Sequence, residues 1–378
     1  MESKLKAIYT SKFNVAPNCL YASSGRINLI GEHLDYNGGF VLPGAIDKCI
    51  IAAIGVNDSN KVKLYSVDLD DYVEFDLNES PLVDKTWARY VYGVCKEFQK
   101  RNGVVKGFNA VFSGNVPLGA GLSSSAALES CFAFALNDSF NCNKFSREEL
   151  AKIGLATEHN YCGVNCGIMD QFSSVFGKQG RLIKLNCESL EYEYVPFDPK
   201  GYKLVLLNTK VKHQLSDSPY NDRRNSCERV ANLIGVDLLC RADLNQLEAI
   251  KSQIIEEDFK RAKYVISEQQ RIIAVCELLK VGDYEQVGHL MYETHHGLSE
   301  LYKVSCSELD FLNEIAAKCG VTGSRMMGGG FGGCTINLVK NEIYSTFIDT
   351  AVSSFEKEFG HKPEIIDVTI SDGARRLE

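Results

Sequence analysis

"GNVPLGAGLSSSAALES" (residues 114–130) joins a glycine loop to three serines and a run of helix formers. "GFNAVFSGNVP" leads into it as a strand. "AALESCFAFALNDSF" continues it as a largely buried helix that starts at about Ser124. Glycine lets the backbone approach an anion closely. The first turn of a helix adds unpaired N–H groups and a dipole that favours negative charge. The stretch therefore predicts a phosphate site at a strand–helix turn. In the pattern G-x-x-x-x-G-K-[ST], Gly114 and Gly119 fit the glycines, but Ala120 stands in the lysine position. Charge must then come from elsewhere, with serine hydroxyls free to ligate Mg²⁺ or bond to phosphate oxygens. The competing reading is a tight turn in which a serine caps the helix.

Upstream, "CIIAAIGVN" (residues 49–57) reads as a buried strand, and "KVKLYSVD" and "DYVEFDL" alternate as half-buried strands do. Downstream, Ser146 and Glu149 form a capping-box pattern opening a helix to about Tyr161. "RLIKLN" and "YKLVLLNT" resume the strand pattern. Pro219 suits a first helical turn, and residues 220–302 are mostly helical. A glycine-rich turn and strand, "GSRMMGGGFGGCTINLV", then precede a late helix and the strand "PEIIDVTI". The fold class is α+β with two domains. The boundary falls near residue 200, giving 1–200 and 201–378, with the site in the cleft between them.

Gly328, Gly330 and Gly333 formally spell G-x-G-x-x-G, but "CTINLV" follows as a strand, where a dinucleotide site requires a helix. A close-packed turn near the ligand is the better account. "GRINLIGEHLDYNGGFVLPGAID" (residues 25–47) places Arg26, Glu32, His33 and Asp35 close together. That set of acceptors and a donor suits several hydroxyls of one sugar. A polar turn is the alternative, for which Tyr-Asn-Gly-Gly is suited.

With 378 residues, of which 45% are hydrophobic and 24% charged, the chain has the balance of a soluble globular protein. The net charge of −8 and the lack of basic blocks disfavour nucleic acid as a partner. No stretch approaches the roughly 18 apolar residues of a membrane span. No secretory signal opens the chain, so the 14 cysteines read as reduced thiols and the location as cytoplasmic. His159, Cys162 and Cys166 lie near one another, but the second ligand pair of a zinc site is missing.

"GRINLIGEHLDYNGG" resembles the signature of galactokinases, and "PLGAGLSSSAALE" resembles the ATP-binding motif of the GHMP kinases. "GSRMMGGGFGGCTINL" is similar to that superfamily's third motif, and "EHNYCGVNCGIMDQFSS" to the galactokinase segment with the catalytic aspartate. The motifs run in order over nearly the whole chain. Leu34 departs from the pattern, which usually has Thr or Ile.

The resemblance implies the two-domain GHMP kinase fold and transfer of the γ-phosphoryl of MgATP to the anomeric hydroxyl of D-galactose. The product is galactose 1-phosphate, in galactose catabolism by the Leloir pathway. It implies ATP and Mg²⁺ as cofactors and a monomer without nucleic-acid or membrane partners. Asp170 becomes the general base or an orienting group, and Arg26 its partner on the γ-phosphate. Glu32, His33, Leu34, Asp35, Gly167 and Tyr220 match the sugar-binding positions. Ser66, Gly119, Ala120, Gly121, Leu122, Ser123, Ser124 and Ser125 match the nucleotide site, and Ser125 and Glu158 the magnesium ligands. By position alone, Asp170 would instead cap the helix "QFSSVFG". Two other readings remain: a kinase for another sugar, such as N-acetylgalactosamine or arabinose, or a galactose sensor without useful catalysis. Such sensors typically lack a Ser-Ala pair within the serine loop, whereas Ser123, Ser124, Ser125, Ala126 and Ala127 are all present here.

Overall fold

A computed structural model describes residues 1–78, 83–117, 119–211 and 218–377. In chain order the first half carries α1 (Glu2–Phe13), β1 (Cys19–Asn28), β2 (Phe40–Val41), β3 (Pro43–Val56), β4 (Lys61–Ser66) and β5 (Asp71–Asp76). There follow α2 (Thr86–Lys100), β6 (Phe108–Gly114), α3 (Ser124–Asn141), α4 (Arg147–Thr157), α5 (Met169–Phe176), β7 (Arg181–Asn186) and β8 (Tyr192–Pro196). The second half carries β9 (Tyr202–Asn208), α6 (Ser218–Ile234), α7 (Leu244–Ala249), α8 (Glu256–Val281) and α9 (Tyr284–His296). It ends with α10 (Ser307–Lys318), β10 (Gly323–Met327), β11 (Cys334–Lys340), α11 (Tyr344–Phe359), β12 (Glu364–Val368) and β13 (Arg375–Arg376).

The first half is built on a six-stranded sheet, β13-β1-β3-β6-β4-β5, in which only β4 and β6 run parallel. β3 is central, and its unbroken apolar run follows from burial on both faces. Ile50, Ala52 and Ile54 face the main core, which includes Phe132 of α3 and Phe172 of α5. Ile51 and Ala53 face the opposite side, against Leu5 and Tyr9 of α1. A three-stranded sheet, β2-β7-β8, lies alongside.

The second half is built on the antiparallel sheet β10-β11-β9-β12. β9 alternates in the same manner. Leu204 and Leu206 join the main core, whereas Val205 and Leu207 pack on Leu312 of α10 and on Phe347 and Phe355 of α11. The chain end recrosses to the first half. Ile370 bridges to Ile46, and β13 pairs with β1 as the edge strand of the six-stranded sheet.

Local signals account for several boundaries. The Ser146–Glu149 capping box is formed at the start of α4. That helix ends at Thr157 and passes into a π-helical turn, Glu158–Cys162. β11 follows the glycine turn directly, where a dinucleotide site would require a helix. Helices α1 and α2, which the sequence pattern did not single out, bury Leu5 and Tyr9, and Val91, Val94 and Phe98, respectively.

Candidate active site

Three segments converge on Asp170, in the first turn of α5. β1 shifts register between Ser24 and Arg26, and its end delivers Arg26 to the cleft. Arg26 Nε donates to Asp170 Oδ1 at 2.8 Å and Nη2 donates to Oδ2 at 3.0 Å. This is the forked geometry that guanidinium and carboxylate share. Arg26 also donates from its amide to the Leu122 carbonyl at 3.1 Å, and from Nη1 to the Gly121 carbonyl. Gly25 leaves room for that approach, because a Cβ there would run into the Leu122 carbonyl. One arginine thus ties the glycine-serine loop to the aspartate.

Ser123 does not cap α3. It stands at the N-cap in a left-handed conformation, φ 56°, without a side-chain cap bond, and its hydroxyl donates to Asp170 Oδ2. Asp170 therefore receives three donors and does not serve as a helix cap. Both capping alternatives raised by the sequence fail at these two residues. α3 keeps its first-turn N–H groups for a ligand, and Ser124 and Ser125 line the adjoining cleft. Gly119 and Gly121 both have φ +72°, which glycine adopts without strain. Ala120 and Leu122 point into the core, so only their backbones can serve the nucleotide site. The cleft has a volume of about 860 Å³ and an aromatic wall of Trp87, Tyr90 and Phe112, with Ser66 at the end of β4. Trp87 and Tyr90 were not foreseen, although Trp87 is the single tryptophan of the chain.

On the other side of Asp170 lies a small polar cavity lined by Arg26, Glu32, His33, Asp35, Gly167, Tyr220 and Gly328. Gly167 carries no side chain because a Cβ would collide with the Asp35 carboxylate. Burial, with the charge of Asp170 second, pushes the Asp35 carboxyl up to about 6. Leu34 departs from the expected set. Its side chain is fully buried in the hydrophobic core and does not line the cavity.

Glu32 is held from a distance in sequence. Its Oε1 accepts the Gly328 amide at 2.8 Å and Arg325 Nη2 at 3.1 Å. Arg325 has no solvent exposure, and Nε also donates to the Leu29 carbonyl at 2.8 Å. The glycine-rich third motif therefore fastens the first one. Sequence reasoning missed Arg325. A charged residue inside the apolar strand "GSRMM" was the available signal.

Glu158 opens the π-helical turn, almost fully buried. Burial pushes its carboxyl up to about 7; a hydrogen bond with Ser125 opposes the rise, and the charge of Asp170 adds to it. Potential ligand atoms of Glu129, Glu158 and Cys162 all lie within 4.8 Å of one another. This group excludes His159 and Cys166, whose own contact is a hydrogen bond from the His159 ring to the Cys166 carbonyl at 2.9 Å. The zinc grouping considered from the sequence is thus not assembled. Glu129, also missed, is an acid within the apolar first half of α3. It is buried, with Oε2 on Gln171 Nε2 at 3.3 Å and Oε1 without a partner.

A cleft over a helix N-terminus, beside a small polar cavity and bridged by an Arg–Asp pair, is an arrangement for moving a phosphoryl group between two small molecules. Residues 89–178 match the GHMP kinases N terminal domain and residues 274–354 the GHMP kinases C terminal family. The mevalonate kinase of Methanococcus jannaschii shares the fold at a TM-score of 0.68 and 19% identity, over 93% of this chain and 98% of that one. Fold and site together define a GHMP kinase. Residues 7–56 match the galactokinase galactose-binding signature. The galactokinase of Thermotoga petrophila is 39% identical over 93% of this chain and 98% of its own. The structure of Lactococcus lactis galactokinase complexed with galactose superposes at a TM-score of 0.94, with 34% identity over the whole of both chains. The chain belongs to the galactokinase family and is an ATP-dependent sugar kinase. No helix among the described residues is long and apolar enough to cross a membrane.

Proposed function

We propose that this enzyme transfers the γ-phosphoryl of MgATP to the anomeric hydroxyl of D-galactose, giving galactose 1-phosphate. The observation that carries the reading is Asp170, set between the polar cavity and the serine loop by Arg26 and Ser123. Phosphoryl transfer needs an oriented hydroxyl and stabilised charge more than covalent help from the protein. Glu32, His33, Asp35, Gly167 and Tyr220 hold the sugar in this scheme. Asp170 orients the anomeric hydroxyl and receives its proton as the new O–P bond forms. Arg26 keeps Asp170 in place and spreads charge from the transferring group. Gly119 to Ser125 cradle the phosphates through their amides and hydroxyls, with Trp87 and Tyr90 available to the base.

Ser125 and Glu158 fit a magnesium ion. They offer hard oxygen donors and lie within hydrogen-bonding reach of each other, and Ser125 lines the nucleotide cleft. When bound, the ion neutralises triphosphate charge. Ser125→Ala and Glu158→Gln should each raise the magnesium concentration needed for half-maximal activity. Galactose affinity, read by calorimetry without nucleotide, should stay within about twofold, since neither residue faces the sugar. A large loss of galactose binding would overturn these assignments.

The division at about residue 200 is part of the same proposal, with residues 369–377 returning to the first domain's sheet. A cytoplasmic monomer acting in galactose catabolism completes it; the 14 free cysteines accord with a reducing compartment. ATP turnover across a panel of free sugars tests the substrate. D-galactose should give the highest kcat/KM. A higher value for N-acetylgalactosamine would reassign the substrate, and absence of turnover with every sugar would favour the sensor reading.

A further inference from the structure

His33 lines the sugar cavity, and its Nδ1 is turned to the protein interior. Nδ1 lies 2.8 Å from the Tyr36 hydroxyl, which lies 2.8 Å from the Tyr302 hydroxyl. Tyr302 in turn lies 3.3 Å from Cys227 Sγ. Tyr302 and Cys227 are buried. At the other end Nε2 is buried beside the Gly329 backbone and has no side-chain hydrogen-bond partner. The ring packs against those of Tyr220 and Tyr302, with centroids 5.6 and 4.9 Å away. His33 has φ 65°, and its carbonyl accepts Asn37 Nδ2 at 2.8 Å. Burial, helped by the charge of Arg223, pushes the imidazole pKa down to about 3, so the ring is neutral with one N–H.

Each hydroxyl and the thiol carry a single hydrogen, so the chain is polarised as a unit. In one direction Cys227 donates to Tyr302, Tyr302 to Tyr36, and Tyr36 to Nδ1. In the other direction Nδ1–H donates outward and Tyr302 finally donates to sulfur, a weak acceptor. The first direction ends on the imidazole nitrogen, the best acceptor in the chain, and leaves the hydrogen on Nε2. Tyr302 is firmly placed for this. Its carbonyl accepts Arg223 Nε at 3.1 Å, and its ring packs 5.0 Å from that of Tyr264, which donates to the Glu32 carbonyl.

We infer that Tyr302, acting through Tyr36, is a positioning residue for sugar recognition, locking His33 as the Nε2–H tautomer with one fixed donor aimed at a hydroxyl oxygen of the hexose. The inference rests on the reading of His33 as a sugar contact. Tyr302→Phe keeps the ring and removes the link.

Galactose affinity by calorimetry, kcat and KM for both substrates, and melting temperature are measured for Tyr302→Phe, His33→Asn and the double variant. Asparagine is chosen because it tolerates the left-handed conformation. Tyr302→Phe should weaken galactose binding about fivefold, the scale of one hydrogen bond. Its KM for ATP and its kcat should be unchanged. On the His33→Asn background the same substitution should add nothing. An additive loss in the double variant, or wild-type galactose affinity in Tyr302→Phe beside a weakened His33→Asn, overturns the inference. Wild-type affinity in His33→Asn itself overturns the sugar-contact reading, and the inference with it. If Tyr302→Phe does not fold, Tyr36→Phe carries the same cycle.

Discussion

Asp170→Asn should lower kcat by about 10²–10⁴-fold, the range a positioned proton acceptor contributes, while galactose still binds. Asparagine has nearly the same shape, so the packing of α5 is retained. What disappears is the charge opposite Arg26 and one of the two oxygens that accept its fork. The amide nitrogen would then face Ser123 or the guanidinium as a second donor. That mismatch should cost about 1–3 kcal/mol of stability, because the Asp170 side chain is 28% exposed and water reaches it in part. Single-turnover kinetics with saturating substrates separates the effects. A well-folded variant with a kcat within a few-fold of wild type would falsify the role assigned to Asp170.

The largest effect on stability is expected at Arg325. This guanidinium is fully buried and serves the Glu32 carboxylate together with the carbonyls of Asn28 and Leu29. Arg325→Met fills much of the volume and abandons those acceptors. Removing one partner of a buried ion pair leaves an uncompensated charge, at a cost of about 3–5 kcal/mol. Urea unfolding followed by near-UV circular dichroism should show a correspondingly lower midpoint. Arg325→Met combined with Glu32→Leu should regain part of that loss, since no charge is then stranded, while galactose binding stays impaired. A wild-type midpoint for the single variant would mean that the pair does not fasten the third motif to the first.

Much of the architecture was legible because the relevant signals are local. The apolar, β-branched stretch at residues 49–57 read as a buried strand, and β3 is covered on both faces. Ser146 and Glu149 cap α4 through bonds three residues apart. The strand after the glycines at 328–333 excluded a dinucleotide loop whatever else surrounded it. The glycines at 119 and 121 announced backbone that only glycine adopts without strain, and both have positive φ.

Side-chain partners were not legible in the same way. A serine before a helix offers the same hydroxyl whether it caps the helix or holds an aspartate 47 positions away, and only the approach of α5 to the loop decided for Asp170. Leu34 sits among contact residues in sequence, yet its turn sends the side chain into the core. Glu32 and Arg325 are 293 residues apart, and Tyr36 and Tyr302 are 266 apart. Sequence by itself determined backbone conformation and which faces are apolar, because these depend on neighbours a few residues away. Which buried charge meets which donor was decided by tertiary packing, because desolvation makes an unpaired charge costly and the partner can come from any element that the fold brings within about 3 Å.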